Sequence, residues 1–287
     1  MKVKINIYKK QRELLRRMQK TKSCPVCSTK MTGMFQLKIL NKYDVEYYLC
    51  PDCGLLQTET PFWLGEAYNT AIADIDTGII NRNLINSKRL EPILYRLFPS
   101  NAKFVDEAGG YGLLTRFLRD KGFDCYSFDK FCENIFAKEF LPTNDLTMNA
   151  ILAFEVFEHL EDITKFVKES FIRYKCKTIL FSTLVFENEV PAKDWWYYTT
   201  ESGQHISFYQ PKTLSKIAKS LGCTYYRITK NLHIITDKSF TLIDRILLLN
   251  SFCFRIYYLF VSFIRRNKTK IHEDFNFINN KLKKSNS

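Results

Sequence analysis

The chain has 287 residues, of which 46% are apolar and 25% are charged, and its formal net charge is +13. The first 23 residues hold nine basic side chains and one acidic, the last 23 hold seven and two, and the body between them holds 27 of each. A body without net charge argues against a nucleic-acid channel across the core, because phosphate binding needs clustered positive charge. At this length we predict one full core with a small appendage.

The basic N-terminal segment, residues 1–23, has no apolar stretch before a small-residue cleavage site. We therefore expect no secretory signal and a cytoplasmic protein. The basic ends could bind anionic lipid at the inner face of the membrane, at about 1 kcal/mol per basic residue, or they could be solvated. Five of the nine cysteines are scattered along the chain, which is typical of reduced core thiols.

Four cysteines form two Cys-Pro-x-Cys turns, Cys24 with Cys27 and Cys50 with Cys53, connected by the predicted strands FQLKIL and VEYYLC. Each turn can direct two thiolates to one point, and four thiolates saturate a tetrahedral ion. We therefore predict a structural zinc ribbon over residues 24–60. No other Cys/His cluster has ligand spacing in the sequence. Two redox dithiols are the alternative, which is weaker because neither turn opens a thioredoxin-like strand-to-helix unit.

Residues 61–98 are predicted as a helical linker, because apolar residues recur at spacings of three and four until Pro99. In the domain predicted at 99–237, short apolar strands alternate with amphipathic helices. The predicted strands are KFVDEA, DCYSFDK, NAILAFEVF and KTILFSTL, followed by two strands within TYYRITKNLHIITDK. This alternation indicates a parallel sheet covered by helices, and the short last connection requires an antiparallel pair.

Three glycines follow the first of these strands, in the sequence FVDEAGGYGLL. A turn of Gly109, Gly110 and Gly112 lets a nucleotide lie against the backbone at the carboxyl end of a strand. Asp129 closes the next strand, where its carboxylate can accept both hydroxyls of a ribose. The third glycine of a dinucleotide fingerprint is replaced by Thr115, which disfavours NAD.

The pattern of Asp106, Gly110 and Gly112 resembles the first motif of class I S-adenosylmethionine-dependent methyltransferases, and it departs from that motif at Ala108, where the family usually has glycine. AFEVFEHL, residues 153–160, resembles the motif after the fourth strand of this class. The resemblance implies an α/β, Rossmann-like, seven-stranded and mostly parallel sheet with a terminal antiparallel hairpin. It implies S-adenosylmethionine as the cofactor. The residues implied to contact the cofactor are Asp106, Gly109, Gly110, Gly112, Asp129 and Glu155.

The sequence DWWYYTTESGQHISFYQPKTL, residues 194–214, extends the resemblance. Together with the ribbon, it makes the chain similar to bacterial zinc-ribbon methyltransferases associated with surface-polysaccharide and modified-sugar pathways, over residues 22–237. The similarity implies O- or C-methylation of a sugar, nucleotide-sugar or glycan. The body without net charge and the tryptophan-rich loop argue against a nucleic-acid partner. The alternative enzyme activity is that of an RNA methyltransferase that binds RNA through its zinc ribbon. A non-catalytic binding protein of the same fold is the other alternative.

Methyl transfer to a hydroxyl needs a base that removes its proton. We predict His205, in the loop after the fifth strand, as this base, with His159 as its rival. His205 could instead fix its loop, and His159 could instead be a cap or spacer at a helix start. Glu155 ends the fourth strand and is predicted to contact the cofactor or the acceptor, unless it is a solvated acid.

The loop that carries His205 also contains four adjacent aromatic residues. We predict that Trp195, Trp196 and Tyr197 stack on the apolar face of a sugar, while some of these rings also cover the core.

Residues 238–287 contain two nine-residue apolar runs, ILLLNSFCF and IYYLFVSFI, separated by Arg255. Neither run reaches the roughly 20 residues that span a bilayer. We predict a C-terminal helical extension that packs on the enzyme or on a second subunit, or that lies on a membrane surface beside the basic tail.

Overall fold

The computed structural model describes residues 22–68, 76–143, 145–264 and 268–285. The basic segment predicted at 1–23 therefore lies almost entirely outside the described residues. The strands are β1 (Thr32–Ile39), β2 (Tyr43–Leu49), β3 (Leu56–Thr58), β4 (Lys103–Glu107), β5 (Asp124–Phe128), β6 (Ala150–Ala153), β7 (Thr178–Ser182), β8 (Ser207–Phe208), β9 (Thr224–Arg227) and β10 (Leu232–Thr236). The helices are α1 (Leu64–Ala67), α2 (Ile79–Leu97), α3 (Leu113–Asp120), α4 (Ile163–Tyr174), α5 (Pro211–Ser220), α6 (Leu242–Asp244), α7 (Ser251–Ile264) and α8 (Ile271–Ser285).

The chain forms two compact units, and each is built from separate stretches of sequence. The described residues of the first unit fall within Met1–Asn69, Glu158–Thr164 and Leu184–Ile217. Those of the second fall within Thr70–Phe157, Lys165–Thr183 and Ala218–Ser287. The histidine and tryptophan loop, which we predicted inside a continuous domain at 99–237, therefore belongs to the same unit as the four cysteines.

The first unit contains an antiparallel sheet of four strands in the order β1-β2-β3-β8. β1 and β2 are the two strands predicted for the ribbon. β3 and β8 have three and two residues, too few to show the two-residue periodicity of a strand in the sequence. β8 pairs Ser207 with Gln57, 150 residues earlier in the chain. The core beside this sheet is largely aromatic and includes Tyr47, Trp63 and Phe208.

The second unit contains a six-stranded sheet in the order β5-β4-β6-β7-β10-β9. The first four strands in this order are parallel, and β10 runs antiparallel to both of its neighbours. β6 and β7 are buried along their whole length, as expected of parallel strands covered on both faces. The predicted α/β class, mostly parallel sheet and terminal antiparallel hairpin are confirmed.

The number of strands differs from the prediction, since the described residues contain six in this sheet rather than seven. Residues 129–149 connect β5 to β6 through turns and irregular structure in the part that is described. One backbone hydrogen bond, from the Ser127 N–H to the Phe140 oxygen, links this connection to β5. Pro142 follows soon after and cannot donate to a strand ladder, so pairing does not continue.

The predicted helical linker, residues 61–98, contains the short helix α1 and the long helix α2, with residues 69–75 outside the described part. α3 begins directly after Gly112 and is followed by Gly122, and both glycines have positive φ, +80° and +92°. Glycine tolerates this conformation at the ends of helices because it lacks a Cβ. Leu114 and Leu118 on α3 are buried in the core of the second unit.

The predicted C-terminal helical extension is confirmed. A capping box starts α6, in which the Thr241 hydroxyl accepts the Asp244 N–H and the Asp244 carboxylate accepts the Thr241 N–H. A π-helix, Arg245–Leu249, then leads to α7. Within the described part of the chain no single helix is long and apolar enough to cross a bilayer. Leu242–Leu249 and Ser251–Ile264 meet the length and hydropathy criteria only as a pair, and that pair is bent by 88°.

Candidate functional site

The four predicted metal ligands, Cys24, Cys27, Cys50 and Cys53, come together in the first unit. All four Sγ atoms lie within 4.8 Å of one another. Close pairs run across the two turns, 3.5 Å from Cys24 to Cys53 and 3.4 Å from Cys27 to Cys50. Sulfur atoms bound at about 2.3 Å to one tetrahedral zinc lie about 3.8 Å apart, so the cluster fits the ion. Pairs that cross between the turns favour a shared metal over two separate redox motifs.

The second cysteine turn is held by residues from the distant part of the same unit. Gly54 has φ +77°, and a Cβ there would overlap the side chains of Gln210 and Lys212. The Thr213 hydroxyl donates a 2.7 Å hydrogen bond to the Cys53 oxygen. The ligand geometry therefore depends on residues near 210 as well as on the ribbon itself.

The glycine-rich turn connects β4 to α3 in the second unit. Ala108, Gly110 and Gly112 all have positive φ, +59°, +56° and +80°. A Cβ on Gly109 would lie 2.6 Å from a carboxylate oxygen of Asp106, so this glycine is needed for packing. A Cβ on Gly110 would meet nothing within 4 Å. The backbone at Gly110 thus borders open space in which a ligand can lie.

Ala108 occupies a left-handed conformation that costs a residue with a Cβ about 1 to 2 kcal/mol. We expect Ala108→Gly to raise the free energy of unfolding by about 1 kcal/mol, since relief of this strain outweighs the added freedom of the unfolded chain. Urea unfolding followed by circular dichroism would measure it. Ala102→Gly in the same unit is the control and should destabilise, because Ala102 is not among the residues with positive φ. Equal effects of the two substitutions would contradict strain at Ala108.

Asp129 directly follows β5, as the sequence predicts, and it is half-buried. Its carboxylate accepts three backbone hydrogen bonds, from Gly110 at 2.9 Å, Phe131 at 2.7 Å and Cys132 at 2.9 Å. A carboxylate has about four acceptor positions, so about one remains for a ligand. The expectation that Asp129 accepts both ribose hydroxyls is corrected to one, because the carboxylate also fastens its own loop to the glycine turn.

Asp106, predicted to contact the cofactor, is buried beneath Gly109. Burial raises the pKa of its carboxyl to about 8, and the Thr115 hydroxyl lies 3.4 Å from it. Its neighbour Glu107 is also buried and accepts hydrogen bonds from Arg173 and from the Tyr174 hydroxyl. The prediction of a direct contact is therefore corrected: Asp106 supports the turn from below.

Glu155 lies just beyond β6, is exposed and has φ +56°. The Ser182 hydroxyl at the end of β7 donates to its carboxylate at 2.7 Å and accepts its N–H at 2.8 Å. Arg82 Nε lies 3.5 Å from its other carboxylate oxygen. β4 and β6 are parallel neighbours, so Glu155 and the glycine turn lie at the same carboxyl edge of the sheet, where α/β folds bind ligands.

His159 and His205 lie together in the first unit, with ring centres 4.9 Å apart. The Nδ1 of His205 is 2.8 Å from the Tyr197 carbonyl oxygen. Because a carbonyl only accepts, neutral His205 carries its proton on Nδ1 and its lone pair on Nε2. The Nδ1 of His159 lies 2.9 Å from the Tyr68 hydroxyl and 3.0 Å from the Gln204 oxygen. Burial lowers the pKa of His159 to about 4, so it is neutral at neutral pH.

Glu158 lies beside both histidines and is fully buried. One carboxylate oxygen and one nitrogen from each of His159 and His205 lie within 4.8 Å of one another. This second group has no ligand spacing in the sequence, and the fold alone brings its members together. The Ile206 N–H donates to the backbone carbonyl oxygen of Glu158 at 2.8 Å, and this bond joins two segments that are distant in sequence.

The three rings predicted to stack on a sugar have different environments. Tyr197 is buried, and its hydroxyl accepts the Leu184 N–H at 3.1 Å, so direct stacking by Tyr197 is corrected to a role in the core. Trp195 is half-buried and packs edge-on against Tyr198. Trp196 is 71% exposed, and it is the ring of the three that presents its surface to solvent.

Sequence reasoning missed two residues of this histidine group. Glu158 lies inside the AFEVFEHL motif next to His159, so the motif itself could have identified it. Tyr68 had no signal, because its contact with His159 spans 91 residues and depends on the fold of the first unit.

Comparisons with known proteins point to one family. The model of the methyltransferase domain family matches residues 81–228, just over half of the chain. No curated protein matches. Solved structures that are similar to this chain include the mitomycin 7-O-methyltransferase MmcR, at 15% identity and a TM-score of 0.41, over 60% of this chain and 65% of that chain.

Two further solved structures are similar at the same level. SAH-bound CalO1, a methyltransferase in calicheamicin biosynthesis, has 13% identity and a TM-score of 0.41, over 60% of both chains. SAH-bound magnesium protoporphyrin IX methyltransferase (ChlM) from Synechocystis has 13% identity and a TM-score of 0.38, over 61% of this chain and 94% of that one. The match spans less than two thirds of MmcR and of CalO1.

Proposed function

This chain belongs to the methyltransferase domain family, and from this premise we propose that it transfers the methyl group of S-adenosylmethionine to a sugar, a nucleotide-sugar or a glycan. The observation that carries the proposal is an exposed indole in the same loop as a histidine. Tyr197 lies between them, with its ring centre 5.4 Å from that of Trp196 and 4.6 Å from that of His205. An indole face can stack on the apolar C–H face of a sugar while a histidine accepts a hydroxyl proton.

For the cofactor, the glycine turn and Asp129 are the residues that we propose hold S-adenosylmethionine. Its nucleoside would lie against the open backbone at Gly110, and the remaining acceptor position of Asp129 would take a ribose hydroxyl. Glu155 lies at the same sheet edge and is held by Ser182. Bound there, the cofactor supplies a methyl group on a sulfonium, which is transferred by in-line displacement.

Removal of the acceptor proton is assigned to His205. Its Nδ1–H is held by the Tyr197 oxygen, so the ring is oriented and the lone pair on Nε2 suits a base. His159 keeps its position as the rival base, and O- and C-methylation stay alternatives. We also propose that the four cysteines bind a structural zinc ion, and that the protein acts in the cytoplasm.

Transfer of labelled methyl groups would test the acceptor class. We would incubate the enzyme with methyl-labelled S-adenosylmethionine and separate pools of nucleotide-sugars, cell-surface glycans and total RNA. We expect label in a sugar pool, and Trp196→Ala should raise the KM for that pool by about tenfold while kcat changes little. Label in RNA, with binding that falls steeply as salt rises, would establish the RNA alternative. Cofactor binding without label in any pool would favour the non-catalytic alternative.

Substituting Asp129 tests the cofactor site. We expect Asp129→Ala to weaken S-adenosylmethionine binding at least tenfold, since hydrogen bonds to a charged group contribute about 1.5 to 3 kcal/mol each. The variant should also unfold more easily, because Gly110, Phe131 and Cys132 lose their acceptor. Titration calorimetry and thermal unfolding would measure the two effects. Glu133→Ala is the control, since this exposed acid of the same loop bonds to Lys138 instead. An unchanged dissociation constant in Asp129→Ala would contradict this cofactor site.

A further inference from the structure

Helix α7 carries an apolar stripe that faces away from the protein. Phe254 and Val261 are the buried residues of this helix. Phe252, Ile256, Leu259 and Phe263 are between 54% and 92% exposed. Their spacing of four, three and four residues puts them on one face, opposite to the buried pair.

The surroundings of the stripe are basic. Between Asp244 and Glu273 the sequence contains no acidic residue. It contains six basic residues in that interval, which are Arg245, Arg255, Arg265, Arg266, Lys268 and Lys270. Asp244 itself is paired with Arg96 at 2.7 Å. An apolar face in a segment of sequence this rich in basic residues complements a surface that is both apolar and anionic.

We propose that α7 docks this stripe on the surface of a membrane that contains anionic lipids. The 14-residue helix is about 21 Å long, which is shorter than the roughly 30 Å hydrocarbon core. The bend of 88° before it prevents a straight continuation. α7 therefore lies in the interface, with its large side chains among the acyl chains and the basic residues at the headgroups.

A second copy of the chain fits this surface less well. In a two-fold interface the same patch meets itself, so Arg255 would face its own copy in a segment that has no acidic residue between Asp244 and Glu273. The proposal does not depend on which acceptor the enzyme methylates, and it is tested without any measurement of methyl transfer.

Vesicle sedimentation of the full chain tests the proposal. We expect binding to vesicles of phosphatidylcholine with phosphatidylglycerol, weaker binding to phosphatidylcholine alone, and a loss of affinity as salt rises. The double substitution Leu259→Ser with Phe263→Ser should weaken binding by about 100-fold, roughly tenfold for each large side chain that no longer leaves water. Ile172→Ser on α4 is the control, since Ile172 is 69% exposed outside the stripe and its loss should not change binding.

Circular dichroism would show that the double variant is folded. Failure of the native chain to bind either vesicle would overturn the proposal, as would equal binding by the double variant. Equal binding to both lipid compositions would contradict the part of the proposal in which the basic residues bind anionic headgroups. A lipid-free dimer that the double variant converts to monomer, without vesicle binding, would assign the stripe to self-association instead.

Discussion

Cys53→Ser should remove the bound metal and unfold the first unit of the protein. Binding of a structural zinc contributes on the order of 10 kcal/mol in small domains, which is comparable to the whole free energy of unfolding of a typical domain. Three thiolates and a hydroxyl bind zinc much more weakly than four thiolates. We therefore expect about one zinc per native chain and less than half an equivalent in the variant, by elemental analysis of protein prepared without chelator.

The tryptophans give a selective measurement of this effect. The chain has three, Trp63, Trp195 and Trp196, and all of them belong to the first unit. Their fluorescence transition should shift to lower denaturant in Cys53→Ser, while Cys176→Ser, a half-buried thiol of the second unit, should leave it unchanged. His205→Ala should retain the zinc if the cysteines are its ligands. Full metal content in Cys53→Ser would contradict the assignment.

His205→Asn should lower kcat by about 100- to 10,000-fold, the usual cost of losing a general base, while the affinity for S-adenosylmethionine stays nearly native. Asparagine keeps an N–H near the position of Nδ1, so the hydrogen bond to the Tyr197 oxygen can persist while Nε2 is lost. A stable but inactive variant therefore separates catalysis from loop structure. His272→Asn, at an exposed site on α8, is the control and should be fully active. Native turnover in His205→Asn would transfer the role of base to His159.

The pH profile distinguishes the two histidines. Burial lowers the pKa of His159 to about 4. If His159 is the base, the rate should therefore not change with pH down to about pH 5. A fall of the rate near the ordinary histidine value of about 6.5 cannot come from His159. The unfolded chain takes up this proton at about 6.5, so the stability that neutral His159 provides is present above that pH and is lost towards pH 4. Unfolding should therefore be measured alongside the rate.

Local chemistry made much of the fold predictable. The four cysteines and the glycine turn could be located because each needs particular residue types at short spacing. The central strands β6 and β7 could be located because they are largely apolar runs. The contacts of Asp129 and Asp106 could not be predicted in the same way, since an aspartate looks the same in sequence whether its carboxylate faces a ligand or its own backbone.

The histidine group shows a different limit. Its members are brought together by hydrogen bonds between distant segments, such as that from the Ile206 N–H to the backbone carbonyl oxygen of Glu158. No periodicity or spacing encodes such a contact. The burial of Tyr197 next to the exposed Trp196 was equally hidden, because adjacent aromatic residues in an irregular loop carry no signal for direction.

The pairing of β3 with β8 sets an order for folding during synthesis. The cysteine turns and the β1–β2 hairpin are complete once residue 53 has left the ribosome, but the partner of β3 is made only at residues 207 and 208. Until then the β3 edge lacks its native neighbour, and an open strand edge can pair with other chains. The sheet of the second unit is also incomplete at that point, since its strands β9 and β10 are synthesised after β8. The first unit needs the chain up to Ile217 and the second needs residues beyond it, so we expect a nascent chain arrested near residue 157 to depend on chaperones.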